Sequence, residues 1–285
     1  RLIELQDLVR QAGNHPSVIL WNTVNEIAIA PLFLKGIHHL PPTDPRREAW
    51  SQKSTEWPYM RRACGVMVDT LKEADPTRPV SLIVGGAWDK NDQAGLPLVA
   101  DVIAYNGGAC RLEDEETLHE RTGLRFDWPP KMFRELYPGL SHVGSEGILN
   151  HFAIARGCWE SELTEWQGQA RAWNGMYAHD WFSGMAMWVL SDYSANGQLR
   201  TRGAVDRFRL PNTGYHFYRA MWSAEPVLHI VGHWNWEPGE TRDVAVFSNG
   251  TDVELRLNGR SLGQGESLAT QWPHLPRAPI VWRGV

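Results

Sequence analysis

Five short apolar runs, separated by segments of helical length, constrain this chain more than any other feature. They are Val18–Val24 (VILWNTV), Pro79–Val84 (PVSLIV), Asp101–Tyr105 (DVIAY), Leu140–Ser145 (LSHVGS) and Met185–Leu190 (MAMWVL). Around them apolar residues recur at helical spacing. Leu2, Leu5, Leu8 and Val9 mark a helix over Arg1–Ala12, stopped by Gly13. Met60, Cys64, Met67 and Leu71 mark another over Trp57–Ala74, ended by Asp75-Pro76. Further helices are expected at Arg111–Arg121, Lys131–Tyr137, Glu160–His179 and Pro211–Trp222. Strands alternating with crossover-length helices predict an α/β fold with a parallel sheet and right-handed crossovers.

Beyond Trp222 the pattern changes to short alternating strands, at Val227–Ile230, Asp243–Phe247 and Val253–Leu257. Asn249-Gly250 lies between two of them and Asn258-Gly259 follows the third, and both dipeptides signal hairpins. The expected boundary is at Ser223, with residues 223–285 starting an antiparallel β-sandwich. A chain of 285 residues is long enough for a substantial core. Its net charge of -5 and lack of a basic block give no reason to expect a nucleic acid or an anionic membrane as partner. No apolar run approaches the roughly 20 residues needed to span a bilayer. Cys64, Cys110 and Cys158 are odd in number and widely spaced, which fits neither a disulfide framework nor a zinc site. His38 and His39 sit in a Pro-rich loop and carry no metal-ligand spacing, and no phosphate loop or dinucleotide fingerprint is present, so no cofactor or metal is expected. The 15 Trp exceed what a core of this size ordinarily needs, so part of them is expected to face a ligand.

Three strand ends carry carboxylates: Glu26, Glu146 and Asp192. In an α/β barrel the reacting groups come from the C-terminal ends of several strands. Paired carboxylates there suit glycosidic chemistry, where one acid protonates the leaving oxygen and the other carboxylate attacks the anomeric carbon or activates water. Asp192 with His142 or His179 is a weaker alternative grouping.

Asn14-His15-Pro16-Ser17-Val18-Ile19-Leu20-Trp21, running into Asn25-Glu26, resembles the acid/base segment of glycoside hydrolase family 2, which holds β-galactosidases, β-glucuronidases and β-mannosidases. Ser145-Glu146-Gly147 resembles the family's nucleophile strand end. Trp188, Gly203–Arg207 (GAVDR) and Tyr215–Trp222 (YHFYRAMW) are similar to its last barrel strand and closing helix. His229, His233-Trp234-Asn235-Trp236 and Val253–Gly263 (VELRLNGRSLG) resemble the sandwich domain that follows.

The resemblance implies a (β/α)8 TIM barrel over residues 1–222, of which the last five strands are present, and a partial immunoglobulin-like sandwich over 223–285. It implies that the chain is a piece of a longer protein, in which a homo-oligomer is compatible, and that an isolated five-strand remnant would expose its edges. It makes Glu26 the general acid/base and Glu146 the nucleophile of a retaining exo-β-glycosidase, with the two carboxyl groups about 5 to 5.5 Å apart. Asn25 would bond the sugar 2-hydroxyl, Tyr105 and Asn106 complete the substrate-binding set, and Trp188 floors the ring. Trp50 or Trp57 would wall a subsite. The partner is a glycoside or oligosaccharide. Gly108 stands where the family often has a Tyr, and alternation along a regular strand turns Tyr105 away from Asn106. No lysine motif of the β-glucuronidase kind follows Asn106. These departures leave the sugar open. A β-galactoside is the first expectation, with β-glucuronides, β-mannosides or a non-catalytic carbohydrate-binding barrel as alternatives.

Overall fold

The computed structural model describes residues 2–25, 45, 57–84, 95–106, 134–148, 159–195, 198–201 and 203–285. Two compact units emerge. The first opens with α1 (Leu2–Ala12), β1 (Trp21–Asn22) and α2 (Trp57–Ala74). It continues through β2 (Val80–Val84), a short 3-10 turn at Leu96–Val99, β3 (Val102–Asn106) and β4 (Ser141–Ile148). The start of β5 (Phe182–Trp188) completes it. The five strands form one sheet in chain order, and the pairings β1–β2, β2–β3 and β3–β4 are parallel.

This is the sheet that the alternating pattern predicts. Four of the five residues of β2 are buried, as in a strand covered on both faces. α2 lays Cys64, Val68 and Leu71 into the core at spacings of four and three residues, each no more than 1% exposed. The Cys64 thiol is free, and burial pushes its pKa up to about 11, so it is an inert core residue.

The first strand is shorter than the apolar run suggests. Residues 13–20 are held by a side chain instead of a ladder: Arg78 Nε donates to the Val18 carbonyl at 2.6 Å and Nη2 to the Gly13 carbonyl at 2.7 Å. The same guanidinium pairs with Asp75 at 2.6 Å. Asp75 also accepts from Trp21 Nε1 at 2.9 Å and from the Thr77 amide and hydroxyl. These bonds, led by the Thr77 and Trp21 side chains, hold the Asp75 carboxyl well below the usual carboxylate range. Ile19 meanwhile faces out, 77% exposed.

The second unit holds α3 (Trp159–Tyr177), β6 (Tyr193–Ala195), β7 (Gln198–Arg200) and α4 (Thr213–Trp222). Short strands follow: β8 (Leu228–Ile230), β9 (Val244–Ser248), β10 (Glu254–Leu257), β11 (Arg260–Gln264), β12 (Glu266–Ser267) and β13 (Ile280–Trp282). Four of these make an antiparallel sheet ordered β12-β13-β9-β8, and β10 pairs with β11 alone. The core is aromatic. Trp166 meets Phe247 and Trp272 edge-on at centroid distances of 5.9 and 5.5 Å, and Trp173 meets Trp222 at 4.9 Å. Trp21, Trp166, Trp173, Trp272 and Trp282 are all buried, so much of the Trp excess belongs to cores and not to a ligand.

Only one of the two Asn-Gly signals closes a hairpin. Asn258 (φ 50°) and Gly259 (φ 81°) join β10 to β11 across the pair Leu257↔Arg260, a two-residue turn with both φ positive. Asn249-Gly250 does not join a strand pair, because β9 takes β8 and β13 as its neighbours. Instead Asn249 Nδ2 donates to the carbonyls of Ser223 and Glu225, and Oδ1 accepts from the Val227 amide.

Candidate active site

Polar residues at the C-terminal ends of β1, β3 and β4 come together in the first unit. Ser81 ties the first two strands, with its hydroxyl 3.2 Å from both the Trp21 carbonyl and Asn22 Oδ1. Asn22 Nδ2 donates to the Val24 carbonyl at 3.3 Å, which turns the chain into Asn25. From there Asn25 Oδ1 accepts from Asn106 Nδ2 at 2.7 Å, and Asn106 Oδ1 accepts from the Ser145 hydroxyl at 2.7 Å. Asn106 is 5% exposed, so its amide is oriented by these two partners.

β4 carries one residue too many at this point. Tyr105 pairs with Gly144 but Asn106 pairs with Glu146, so Ser145 is the extra residue of a bulge. A bulge re-aims the side chains that follow it, and here it sets Ser145 and the half-buried Glu146 together beside Asn106. Gly144 allows the neighbouring strand to close in: a Cβ there would lie 2.8 Å from Met185 Cγ.

Tyr105 lies on the other face of β3. It is fully buried, its hydroxyl is 2.5 Å from His142 Nδ1, and Phe182 stacks on its ring. Burial, with the Arg134 charge behind it, pulls the His142 pKa down to about 4, and burial lifts the Tyr105 phenol above its ordinary value. The phenol therefore belongs to a closed interior pair and not to the group formed by Asn25, Asn106 and Ser145. The Tyr–His pair and the bulge leave no mark in the sequence pattern, since both depend on register between strands far apart in the chain.

Trp188 belongs to the second unit. Its indole Nε1 donates to the Tyr193 hydroxyl at 3.2 Å, its ring is 37% exposed, and the peptide to Val189 is cis. Gly203 backs this region, because a Cβ there would collide with the Asp192 backbone nitrogen. Asp192 accepts from the Gly203 amide at 2.8 Å. Glu26, His38, His39, Trp50 and Gly108 lie outside the described residues. Among the described residues no cluster of three His, Cys, Asp or Glu forms a metal site, and no helix is long and apolar enough to cross a membrane.

A family model described as a domain of unknown function (DUF4982) matches residues 239–284. A β-glucuronidase of Formosa agariphila is 40% identical over 263 residues, which is 90% of this chain and 23% of that protein. A β-galactosidase of Bacteroides ovatus is 26% identical over 297 residues, 91% of this chain and 32% of that one. The chain thus spans less than a third of the length of relatives such as these. Among solved structures, a glycosyl hydrolase family 2 member from Bacteroides cellulosilyticus superposes over 99% of this chain and 32% of its own, at 25% identity and a TM-score of 0.60. Over nearly all of its length the chain is a homologue of the β-glucuronidases and β-galactosidases of glycoside hydrolase family 2.

Proposed function

We propose that the protein is a retaining β-glycosidase, with Glu146 as nucleophile and Glu26 as general acid/base. The observation that carries this reading is the Asn25–Asn106–Ser145 hydrogen-bond chain beside Glu146 at the C-terminal strand ends. In the first step the Glu146 carboxylate bonds to the anomeric carbon, the glycosidic bond breaks, and Glu26 gives its proton to the departing oxygen. In the second, Glu26 takes a proton from water, whose oxygen attacks the anomeric carbon and releases Glu146. Asn25 and Asn106 hold sugar hydroxyls with bonds that tighten as positive charge develops on the ring. The parallel sheet is the latter part of a (β/α)8 barrel over residues 1–222, and residues 223–285 begin a sandwich domain.

A β-glucuronide is the first substrate reading, supported by the 40% identity to a β-glucuronidase. A β-galactoside is the second, supported by the Bacteroides ovatus relative and by the missing lysine motif after Asn106. The test is Glu146→Gln in the protein carrying these residues, assayed on aryl β-glucuronide and aryl β-galactoside. Loss of about 10³-fold or more in kcat on the preferred sugar is expected, the scale on which losing a covalent nucleophile acts. Full turnover by the variant would sink the assignment, and no turnover of any aryl β-glycoside by the unaltered protein would favour a carbohydrate-binding barrel.

A further inference from the structure

The hydrogen-bonded pair of Tyr105 and His142 lies directly beneath the candidate site. Tyr105 immediately precedes Asn106 on β3, and His142 lies four residues before Glu146 on β4. Their rings are nearly parallel, 5.9 Å apart at an interplanar angle of 4°, and both residues are 0% exposed. A buried hydroxyl and a buried imidazole are costly to desolvate, and their mutual bond offsets part of that cost. A Phe–Leu pair would fill such a space without it. What the polar pair adds is a fixed direction, since it is satisfied at one offset between the strands and unsatisfied at others.

That offset matters at this place. Tyr105 stands opposite Gly144, and its hydroxyl reaches back to His142, which is the register partner of Ile103. The bond therefore runs diagonally across β3 and β4 on the near side of the bulge. β5 and the residue before it clamp the bond: Phe182 stacks on Tyr105 at 6.2 Å, and Trp181 meets the His142 ring edge-on at 5.4 Å. The next positions along the two strands are Asn106 and the Ser145–Glu146 bulge.

We infer that Tyr105 and His142 are positioning residues for Glu146: their bond fixes how far β4 runs past β3, and so where the Glu146 carboxylate stands relative to Asn106. The inference rests on Glu146 being the nucleophile. With His142 neutral, Nδ1 and the phenol share one hydrogen bond in either ring tautomer, so the pair is intact at neutral pH. A displacement of even 1 Å at a reacting carboxylate costs up to about 10²-fold in rate.

Tyr105→Phe and His142→Leu remove the bond, whereas His142→Gln keeps an acceptor. The readouts are kcat and KM on the preferred aryl β-glycoside, and the rate at which a cyclophellitol-type aziridine labels Glu146, followed by mass spectrometry. Tyr105→Phe and His142→Leu should each lower kcat and the labelling rate about tenfold or more while KM moves less than about threefold, with part of the loss regained in His142→Gln. A purely structural pair would lower the melting temperature and leave kcat of the folded enzyme unchanged. If the truncating variants do not fold, 3-fluorotyrosine at position 105 keeps the shape and alters only the strength of the bond, and kcat should follow it. Glu146→Gln that retains activity sinks the nucleophile reading and the inference with it. An inactive Glu146→Gln beside a folded Tyr105→Phe at full kcat overturns the positioning inference alone.

Discussion

Asn106 uses both ends of its amide, donating to Asn25 and accepting from Ser145, and so couples residues that three different strands deliver. Each bond of this kind is worth about 0.5–1.5 kcal/mol net. Ser145→Ala should therefore lower kcat/KM by up to roughly tenfold, and Asn106→Ala by more, because it strips partners from both neighbours. The two effects should not add. With Asn106 gone, Ser145 has lost its acceptor, so the double variant should match Asn106→Ala alone; full additivity in a double-mutant cycle would show the two side chains acting independently. The strand-end position of Glu146 was legible in the sequence because strand ends mark themselves by the change from apolar to polar residues, whereas Asn25 and Asn106 were singled out only by the family resemblance. The placement of Ser145 was not. Strict alternation would turn Ser145 and Glu146 to opposite faces, and only the bulge against β3 sets both beside Asn106.

Elements whose signals are local were read closely, and those that depend on distant pairing were not. The helix expected at Trp57–Ala74 is found over those same residues, because its apolar stripe lies within its own span and its Pro stop directly after it. The Asn-Gly turns divide by the same rule. Asn258-Gly259 has its partner strand directly after it, whereas β9, preceding Asn249-Gly250, pairs with β13 through Val246↔Ile280, a register that no neighbouring dipeptide encodes. The two glycines should then respond differently to a Cβ. Gly259 sits at φ 81° with open space around it, so Gly259→Ala meets only backbone strain, about 1–2 kcal/mol. Gly250 needs no positive φ and would meet only the Ser248 hydroxyl at 3.3 Å, so Gly250→Ala should cost much less. Asn249→Ala should exceed Gly250→Ala, since it removes three bonds to the linker after α4. Chemical denaturation of the three variants orders them; equal losses at the two glycines would contradict the turn assignment.

Over the whole molecule, each unit packs histidine in its neutral form, buried at His142 in the first and half-buried at His216 and His229 in the second, and this gives the chain an acid sensitivity that its carboxylates do not explain. In the second unit His216 of α4 and His229 of β8 stack at 3.7 Å and 7°, with Tyr215 edge-on to His216 and Phe247 against His229. Burial, then the Arg219 charge, lowers the His216 pKa; burial, then His216 itself, lowers that of His229 to about 4. In the first unit His142 is brought down to about 4 by burial and the Arg134 charge. Two imidazolium rings at that distance repel, so protonating one opposes the other. The unfolded chain titrates His142 and His229 near 6.5 and the folded chain near 4, and folding lowers the His216 pKa as well, so between those values the unfolded state binds more protons. Stability contributed by the neutral rings is thus complete above about pH 6.5 and falls as pH drops toward 4. Asp75, Asp101 and Asp243 have pKa values lowered by folding, so their contribution is intact down to about pH 5 and falls only below that. Unfolding near pH 5 should therefore take up roughly one proton each at His142 and His229. Melting temperatures measured from pH 7 to pH 5 should fall steadily in the unaltered protein, and the fall should be shallower in His229→Phe, which removes one titrating ring but keeps the stack. A melting temperature flat across that range, or a slope unchanged by His229→Phe, would place the acid sensitivity elsewhere.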